Sequence, residues 1–562
     1  TKGEMTVTKI HVGGKTYEVS GTGYDRSGKF ILDGREVDPM RDILLSKILM
    51  VGTLCTNVRL EEELGDPTEL AIAVAAAKAG FHKAGLDKMY PRVMEVPFSS
   101  ERKMMSTVNR VGDEYWVCVK GAPEVLLDRC RFIEIEPYKY VEVDDEQRRI
   151  ILSKTREFAE EGLRVLAVAY KNIEKFDPHN NAKADVDALE RDLVFLGLIA
   201  MMDPPRKEVY DAVRKTKVAG IKVMMVTGDH AATAIAVAKK IGLYEAGDEV
   251  VLGHELDKMT EDKLASRIDR VRVFARVMPE HKLKIVKALK RRGEIVAMTG
   301  DGVNDAPALK HAHIGVAMGI KGTDVAKEAA DMILLDDNFA TIVKAVEGGR
   351  EVYGRIRAFT RYLISCNIAE ILIITLGMLL FYEIPLLPAM ILWINLITDG
   401  PPATALAWDP CFEDVMKKKP RRPSEGLLAG MLGFIIVSSV VLTLGVMLTY
   451  YYYHAVLGAS IGRIRTVIFM QIALFELMIV WNCRSEEKSV FEIGFGGNRW
   501  LLISVVFCAA ITVGLLYSPI AGWFHLVPPS PEDWIPILAV AVLGLLIVPS
   551  IFAKHEASGH GE

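Results

Sequence analysis

Long apolar runs dominate the chain after about residue 345, whereas the residues before it mix charged positions with short apolar periods. A helix of roughly 20 apolar residues crosses the hydrocarbon core of a bilayer, which is about 30 Å thick. Six runs reach that length: residues 359–381, 386–407, 428–451, 465–482, 499–518 and 534–553. The pattern predicts an integral, multi-pass membrane protein that ends in an all-α transmembrane bundle of six helices.

Basic residues between these runs predict the orientation of the bundle. Two connections are rich in lysine and arginine: Lys417, Lys418, Lys419, Arg421 and Arg422 in the first, and Arg484, Lys488 and Arg499 in the second. The connections expected on the other side carry only Arg463 and Arg465 or no basic residue. Because basic loops stay in the cytoplasm, the soluble part and the C-terminus are expected there as well.

Residues 197–340 alternate short β-branched runs with helical patterns, which is typical of a parallel α/β sheet with its site at the strand C-termini. The expected strands cover residues 194–199, 222–226, 271–274, 294–298 and 314–317. Residues 4–196 combine strand-like alternation, as in 9–19 and 114–120, with helices. We interpret them as a separate, inserted domain.

Composition excludes several classes of function. The 562 residues carry a net charge of -4 and no basic arm, so a nucleic-acid partner is not expected. Seven cysteines are widely spaced and form no C-x-x-C pair, which favours reduced thiols over disulfides or metal ligands. They are Cys55, Cys118, Cys130, Cys366, Cys411, Cys483 and Cys508.

Two short motifs place hydroxyl, small and acidic residues where predicted strands end. The first is Thr227-Gly228-Asp229, and the second runs from Asp301 through Asn304 and Asp305. Threonine and backbone N–H groups hold phosphoryl oxygens, and an exposed aspartate suits magnesium, a hard ion. Either motif alone could be an ordinary turn, but together with Lys282 on a basic helix that starts at Pro279 they favour a phosphate and magnesium site.

Carboxylates inside the apolar runs favour ion transport. A charged side chain at bilayer depth costs at least about 2.5–3.5 kcal/mol and is kept mainly for function. The polar positions are Asn367, Glu370, Asn395, Thr398, Asp399 and Glu476. Their hard oxygen donors fit calcium better than a soft metal, although Cys366 lies beside them. Gly400-Pro401-Pro402 directly after Asp399 is expected to break that helix and free carbonyls toward a cavity.

Six strings in this order resemble the P-type ATPases, most closely the calcium-pump branch, over essentially the whole chain. They are Val119-Lys120-Gly121-Ala122-Pro123-Glu124, Asp203-Pro204-Pro205-Arg206, Thr227-Gly228-Asp229, Met298-Thr299-Gly300-Asp301-Gly302-Val303-Asn304-Asp305, Asn367-Ile368-Ala369-Glu370 and Asn395-Leu396-Ile397-Thr398-Asp399-Gly400. The resemblance implies a multidomain membrane protein. Its expected parts are an α/β phosphorylation domain of the haloacid-dehalogenase-like, Rossmann type, an inserted α+β nucleotide-binding domain and the transmembrane bundle.

The resemblance also implies boundaries and roles. The expected segments are the end of a phosphorylation motif (1–3), the nucleotide-binding domain (4–200), the phosphorylation domain (201–340), a stalk (341–358) and the transmembrane domain (359–562). Asp301 is expected to hold magnesium, Lys282 and Thr227 the phosphoryl group, with Gly228, Asp229, Asn304 and Asp305 in support. The residues expected to bind ATP are Glu69, Phe98, Lys103, Lys120, Arg164 and Arg276. The six membrane positions named above are expected to bind the transported cation.

The phosphorylated aspartate of such pumps precedes a Lys-Thr-Gly-Thr string, and Thr1-Lys2-Gly3-Glu4 is similar to the continuation of that motif. An upstream N-terminal segment is therefore expected to supply the nucleophile. The implied activity is ATP-driven calcium transport through an aspartyl phosphate, in the plasma membrane. The open alternatives are a pump for sodium, manganese or protons, and a nucleotide-binding membrane protein that does not pump.

Overall fold

The structure is a computed structural model and describes residues 3–174, 176, 186–410, 414–549 and 551. Several sequence expectations lie outside the described residues: Thr1 and Lys2 of the opening string, Cys411, and residues 550, 552 and 553 of the sixth apolar run. The chain divides into two compact units. The first comprises Thr1–Lys217 and Lys222–Ala340, and the second comprises Val218–Ile221 and Thr341–Glu562.

Among the described residues, the first unit contains an eleven-stranded sheet with the main order β4-β3-β2-β1-β11-β10-β7-β6-β5. Its strands are β1 (Thr6–Val12), β2 (Lys15–Val19), β3 (Phe30–Leu32), β4 (Arg35–Val37), β5 (Arg92–Val96), β6 (Met104–Val111), β7 (Glu114–Gly121), β8 (Cys130–Glu136), β9 (Lys139–Glu142), β10 (Arg164–Ile173) and β11 (Leu193–Met202). The accompanying helices are α1 (Ile43–Leu54), α2 (Pro67–Lys78), α3 (Lys83–Met89), α4 (Pro123–Asp128), α5 (Asp145–Glu160) and α6 (Val186–Leu189).

The strand predicted at residues 194–199 was assigned to the wrong sheet. It is part of β11, which pairs antiparallel with β1 and β10 in the centre of the large sheet, with Ile199 opposite Ile10 and Leu166. A strand covered on both faces has the same continuous apolar sequence in a parallel or an antiparallel sheet. The pattern therefore identified the strand but could not identify its partners.

Parallel strands follow in two small sheets of the first unit, ordered β12-β14-β13 and β15-β16-β17. These strands are β12 (Met225–Val226), β13 (Glu249–Leu252), β14 (Val271–Ala275), β15 (Ala297–Gly300), β16 (Ile314–Met318) and β17 (Met332–Leu334). The helices between them are α7 (Lys207–Val218), α8 (Ala231–Lys240), α9 (Gly253–Lys258), α10 (Glu261–Arg267), α11 (Pro279–Arg291), α12 (Ala306–His311) and α13 (Asp324–Ala329). The predicted α/β alternation is confirmed, with the strands divided between two sheets.

The second unit is helical among its described residues. Its helices are α14 (Phe339–Phe381), α15 (Pro388–Trp393), α16 (Gly400–Ala405), α17 (Leu432–Tyr451), α18 (Ile461–Ile479), α19 (Val490–Ile493), α20 (Arg499–Leu516) and α21 (Trp534–Leu546). Small residues permit close packing between them: a Cβ on Gly544 of α21 would lie 2.9 Å from the Phe475 carbonyl of α18. Close approach of this kind is typical of helices that pack within a membrane.

Four helical segments of the described chain are long and apolar enough to cross a membrane: Phe339–Phe381, Leu432–Val456, Ile461–Cys483 and Arg499–Leu516. The predicted count of six is therefore not confirmed. The second apolar run is divided into α15, a π-helical segment at Ile394–Asp399 and α16, while the sixth contains the 13-residue α21. The third segment, Ile461–Cys483, is the most enclosed of the four, because 89% of its apolar stretch is buried inside the structure.

A buried ion pair ties α1 to the large sheet. Lys47 Nζ donates to Glu134 Oε2 at 2.7 Å and to the Tyr170 hydroxyl at 2.6 Å, and Tyr170 in turn donates to Glu134. Glu134 is 1% exposed. Because a charge buried without a partner is much costlier than a satisfied pair, this contact constrains how α1 packs.

Replacing Lys47 with alanine should destabilise the first unit by about 3–5 kcal/mol, because Glu134 would lose its cation inside the core. Amide hydrogen exchange of α1 and β10 measures this change locally. The matched control is Lys29→Ala, which removes an exposed partner of Glu36 and should cost less than about 1 kcal/mol. Equal effects of the two substitutions would contradict the role of the buried pair.

Candidate functional site

The Thr227-Gly228-Asp229 motif forms a turn directly after β12. The Thr227 hydroxyl donates to Asp229 Oδ2 at 2.8 Å, and the Asp229 N–H donates back to the same hydroxyl oxygen at 3.1 Å. Neighbouring β14 holds the turn, since the Val277 N–H donates to the Thr227 carbonyl and the Arg276 N–H donates to the Asp229 carbonyl. Arg276 has a left-handed φ of 52°. The motif is thus pinned at the C-terminal edge of the parallel sheet.

Asp305 organises the second motif. Its Oδ1 accepts from Lys282 Nζ at 2.5 Å, and its Oδ2 accepts the backbone N–H groups of Asp301 and Gly302 at 3.1 and 3.2 Å. Gly300 is required beside it, because a Cβ there would lie within 2.8 Å of the Asp305 carboxylate. Asp305 therefore joins the basic helix α11 to the turn that presents Asp301.

The two aspartates of this turn differ in what they can bind. Asp305 is 3% exposed and both its oxygens already accept hydrogen bonds, so it positions other groups. Asp301 and Asn304 are exposed, and their oxygens are free to face a ligand. An exposed carboxylate beside an amide oxygen fits magnesium, which would supply charge neutralisation for phosphate at this edge.

The beginning of the described chain lies at the same edge. The Gly3 N–H donates to both oxygens of Asp203, at 3.0 and 3.1 Å. A side chain on Gly3 would collide with the Lys321 amine, and the loop containing Lys321 is fixed by the Thr323 N–H donating to the Asp301 carbonyl at 2.8 Å. Asp203 of the Asp-Pro-Pro-Arg string therefore holds the backbone at Gly3 near the Asp301 loop.

A second group of predicted residues collects along one edge of the large sheet. Strands β10, β7, β6 and β5 are consecutive and antiparallel, so the starts of β10 and β6 and the ends of β7 and β5 meet. This edge carries Arg164, Lys103 and Phe98, which are all exposed. The 61% exposure of Phe98 is unusual for a large aromatic side chain and leaves a ring face for stacking.

Lys120, near the end of β7, forms an ion pair with Glu69 at this edge. Lys120 Nζ donates to Glu69 Oε1 at 2.5 Å, and Glu69 Oε2 accepts the Asn57 N–H at 2.6 Å. Burial raises the pKa of the nearby Cys55 thiol, although Lys120 acts in the opposite direction. The thiol consequently stays protonated at neutral pH. The structure therefore brings Glu69, Lys120, Lys103, Arg164 and Phe98 to one edge, as the motif order suggested.

The membrane helices bring carboxylates together in their interior. Asn395 Nδ2 donates to Glu370 Oε2 at 3.0 Å and Oε1 at 3.3 Å, which links α14 to the π-helical segment. The Tyr362 hydroxyl donates to Asp399 Oδ1 at 2.8 Å. Glu370 is 4% exposed and Asp399 is fully buried. Three helical segments, including the α18 segment that carries Glu476, thus meet at a polar centre.

This polar centre has more acceptors than donors. Both carboxylate oxygens of Glu476 and the Oδ2 atom of Asp399 are buried and have no hydrogen-bond partner within the described part of the chain. Glu476 is fully buried. Because a buried carboxylate without compensation is very costly, the arrangement calls for a cation or for protons.

Within the described part of the chain, no side-chain hydrogen bond joins Asn367 or Thr398, two of the predicted cation positions, to this centre. Asn367 is exposed, and its amide donates to the Leu363 carbonyl at 2.7 Å. Thr398 is buried, and its hydroxyl donates to the Ile394 carbonyl at 2.7 Å. Both hydroxyl and amide oxygens remain acceptors, so these side chains keep ligand atoms even though their donors are engaged.

Sequence reasoning did not assign Tyr362 or Cys366 to the cluster. Tyr362, Cys366 and Glu370 recur every four residues on α14, which places them on one face of the helix. That spacing was a readable signal, but a tyrosine and a cysteine in an apolar run look like ordinary packing residues.

The helix break predicted after Asp399 is wrong, because the backbone stays helical from the π-helical segment into Gly400–Ala405. Residues Ile394–Asp399 are π-helical and Gly400 continues with helical angles of φ −56° and ψ −56°. Pro401 and Pro402 have no N–H group, so they are tolerated in the first turn of α16. The chain instead widens at the π-helical segment, a feature that is common at functional sites, and Asn395 and Asp399 of this segment contact Glu370 and Tyr362.

Three family models match the chain. Residues 45–208 match "P-type ATPase, cytoplasmic domain N", residues 282–346 match "haloacid dehalogenase-like hydrolase", and residues 383–551 match "Cation transporting ATPase, C-terminus". In chain order, the three matches contain Lys120 at the edge of the large sheet, the Asp301 loop, and the carboxylates Asp399 and Glu476.

Curated relatives resemble nearly the whole chain. It is 41% identical to the "Calcium-transporting ATPase" of Bacillus subtilis (strain 168) over 98% of this chain and 62% of the relative, and 40% identical to the "Calcium-transporting ATPase 1" of Bacillus cereus over 97% and 61%. It is 38% identical to the human "Calcium-transporting ATPase type 2C member 1" over 93% and 55%. The chain therefore spans about three-fifths of the length of these bacterial relatives.

Proposed function

The chain belongs to the P-type cation-transporting ATPases, and on that premise we propose that it works in a pump that couples ATP hydrolysis to calcium transport across a membrane. One observation carries the proposal. Within the described residues, the fully buried carboxylates Asp399 and Glu476 leave three oxygens without hydrogen-bond partners inside apolar helices, beside Glu370. These are hard oxygen donors of the type that calcium prefers.

In the proposed cycle ATP binds along the exposed edge of the large sheet. The ring of Phe98 stacks the adenine, while Lys103, Lys120 and Arg164 offset phosphate charge. This assignment rests on the antiparallel order that collects the starts and ends of strands β10, β7, β6 and β5. We assign Arg276, in its left-handed turn beside Asp229, to the same ligand.

Phosphoryl transfer takes place at the Asp301 loop in this proposal. Magnesium is held by Asp301, with Asn304 beside it, and neutralises charge on the phosphate. Lys282 and the Thr227 hydroxyl contact the phosphoryl oxygens, and the hydroxyl does so by exchanging its hydrogen bond to Asp229 Oδ2 for one to the phosphate. The Gly228 turn and the Asp229 N–H keep the hydroxyl oxygen in position. Asp305 positions Lys282 through the 2.5 Å contact.

The nucleophile of the proposal is an aspartate in a segment that precedes Thr1. Its attack on the γ-phosphate of ATP forms an acyl phosphate and releases ADP, and water later cleaves that bond to release phosphate. Two findings support this: the relatives contain sequence beyond the matched part, and Asp203 holds Gly3 near the Asp301 loop.

We assign the domains as residues 4–200 for nucleotide binding, 201–340 for phosphorylation, 341–358 for the stalk and 359–562 for a bundle of six membrane helices, with 1–3 as the end of the phosphorylation motif. The soluble domains then lie in the cytoplasm, and the plasma membrane is the proposed location.

The cation is bound by Asn367, Glu370, Asn395, Thr398, Asp399 and Glu476. Coupling requires that the ion-bound and phosphorylated states be alternatives of one conformational equilibrium.

The decisive experiment measures acid-stable phosphoenzyme formed from γ-labelled ATP. It uses the protein with its upstream segment and titrates calcium against sodium, manganese and a chelator over a range of pH. Labelling should require calcium and disappear in chelator. Labelling driven by sodium, manganese or protons would replace calcium with that ion, and nucleotide binding without any labelling would indicate a protein that does not pump.

Glu370→Gln should lower the apparent calcium affinity of phosphoenzyme formation about tenfold or more. The substitution keeps the shape of the side chain but removes one negative charge from the polar centre, and tenfold corresponds to about 1.4 kcal/mol. The control is Glu383→Gln, since Glu383 accepts from Tyr450 and lies outside the centre. An unchanged calcium titration in Glu370→Gln would remove Glu370 from the ligand set.

Lys120→Ala should weaken ATP binding about tenfold, because a charge-assisted hydrogen bond contributes roughly 1.5–3 kcal/mol. Calcium dependence should stay the same, since the substitution lies in the first unit. Titration with a fluorescent ATP analogue measures the effect. Lys139→Ala, at an exposed lysine, provides the control, and a nucleotide affinity equal to that control would reject the proposed edge.

A further inference from the structure

The polar centre contains a sulfur atom that a calcium site does not need. Cys366 Sγ, one carboxylate oxygen of Asp399 and one of Glu476 all lie within 4.8 Å of one another. All three side chains are buried, with exposures of 2%, 0% and 0%. These residues come from three different helical segments, so the group exists only in the folded bundle.

The carboxylates of this group point to a ligand independently of the cysteine. Asp399 Oδ1 accepts from the Tyr362 hydroxyl. Among the residues that the structure describes, Asp399 Oδ2 and both oxygens of Glu476 have no hydrogen-bond partner. Packing alone does not explain a fully buried Glu476, because an apolar residue of the same size would avoid the cost of its charge. The free oxygens and the sulfur therefore surround a position suited to a positive ion.

Other buried cysteines of the described chain serve differently. Cys55 Sγ donates to the Met105 carbonyl and Cys130 Sγ to the Leu126 carbonyl. Cys366 instead lies against two carboxylates. This placement departs from the expectation, drawn from the absence of C-x-x-C pairs, that none of the cysteines is a metal ligand.

The donor set decides the class of ion. Calcium and magnesium take oxygen ligands and gain little from sulfur. Zinc and similar thiophilic divalent ions combine a thiolate with carboxylate oxygens, with metal–ligand distances of about 2.3 Å to sulfur and 2.0–2.2 Å to oxygen. In tetrahedral geometry those values put sulfur and oxygen about 3.6 Å apart, so a small contraction of the group would complete three of four positions.

We propose that Cys366, together with Asp399 and Glu476, makes the interior site accept thiophilic divalent cations of the zinc and cadmium class as well as calcium. The proposal rests on the proposed function because it uses two of the same carboxylates. When the metal binds, the Cys366 thiol releases its proton to solvent and a metal–sulfur bond forms. No electron transfer is involved.

The test uses cadmium as the probe, on the full protein with its upstream segment, in calcium-free buffer. Cadmium bound to a thiolate gives an ultraviolet sulfur-to-metal charge-transfer band, and equilibrium dialysis gives the affinity. Cys366→Ser should abolish the band and lower cadmium affinity about tenfold or more. Calcium-dependent phosphoenzyme, measured in the same variant and compared with the wild type, reports whether the variant is folded.

Cys508→Ser is the matched control, since Cys508 is also a fully buried membrane cysteine but lies outside the group. It should leave both the band and the cadmium affinity unchanged. A band that survives in Cys366→Ser, or an equal cadmium affinity in the two variants, would overturn the inference while calcium-dependent labelling still supported the pump.

A cadmium band without calcium-dependent labelling would separate the thiophilic site from the proposed calcium transport. A band lost only in Cys366→Ser, in a protein without calcium-dependent labelling, would support the thiophilic site and reject calcium transport. Cadmium should also compete with calcium in the wild-type labelling assay, because Asp399 serves both ions. Additive binding of the two metals would contradict a shared site.

Discussion

Uncompensated carboxylates inside an apolar bundle are the constraint on which the second unit depends. Glu476 lies on α18, the most enclosed of the membrane helices, and both its oxygens lack partners. Removing a carboxylate from water is tolerable only when a cation or proton accompanies it. The site's occupancy is therefore part of the stability of the bundle, and any change in occupancy must alter how the surrounding helices pack. This link between binding and packing is the physical requirement for a transporter.

In the first unit, hydrogen bonds hold charged loops in fixed positions at the surface. Asp305 uses both oxygens to connect Lys282 with the backbone of Asp301 and Gly302, leaving Asp301 exposed. The Thr227 turn is held by backbone contacts from the neighbouring strand. Phosphoryl transfer gains most from such preorganisation, because the donors need not rearrange as charge develops. Asp305 is buried and positions its neighbours, whereas Asp301, the proposed magnesium ligand, is exposed.

Sequence reasoning succeeded where the signal was local. The strand-end motifs, the basic helix that begins at Pro279 and the long apolar runs appear where they were expected. It failed where partners lie far apart in sequence: β11 joins β1 across about 190 residues, which no periodicity records. The second apolar run was long enough to span, but the π-helical segment divides it. Asn367 lies one turn from Glu370, but it is exposed and its amide donates to the Leu363 carbonyl of the same helix, so its role as a ligand stays a prediction.

Cys366 is another residue whose spatial neighbours lie too far along the chain to be predicted from local sequence. Metal-binding cysteines are recognised in sequence by pairs, and this one has none. Its partners, Asp399 and Glu476, stand 33 and 110 residues further along the chain. Asp399 and Glu476 belong to both proposed donor sets, to which Glu370 and Asn395 are added for calcium and Cys366 for a thiophilic ion. A hard ion and a thiophilic ion would both require Asp399 Oδ2. They must therefore exclude one another, so a thiophilic metal that binds tightly through sulfur would occupy the pathway instead of adding a second site to it.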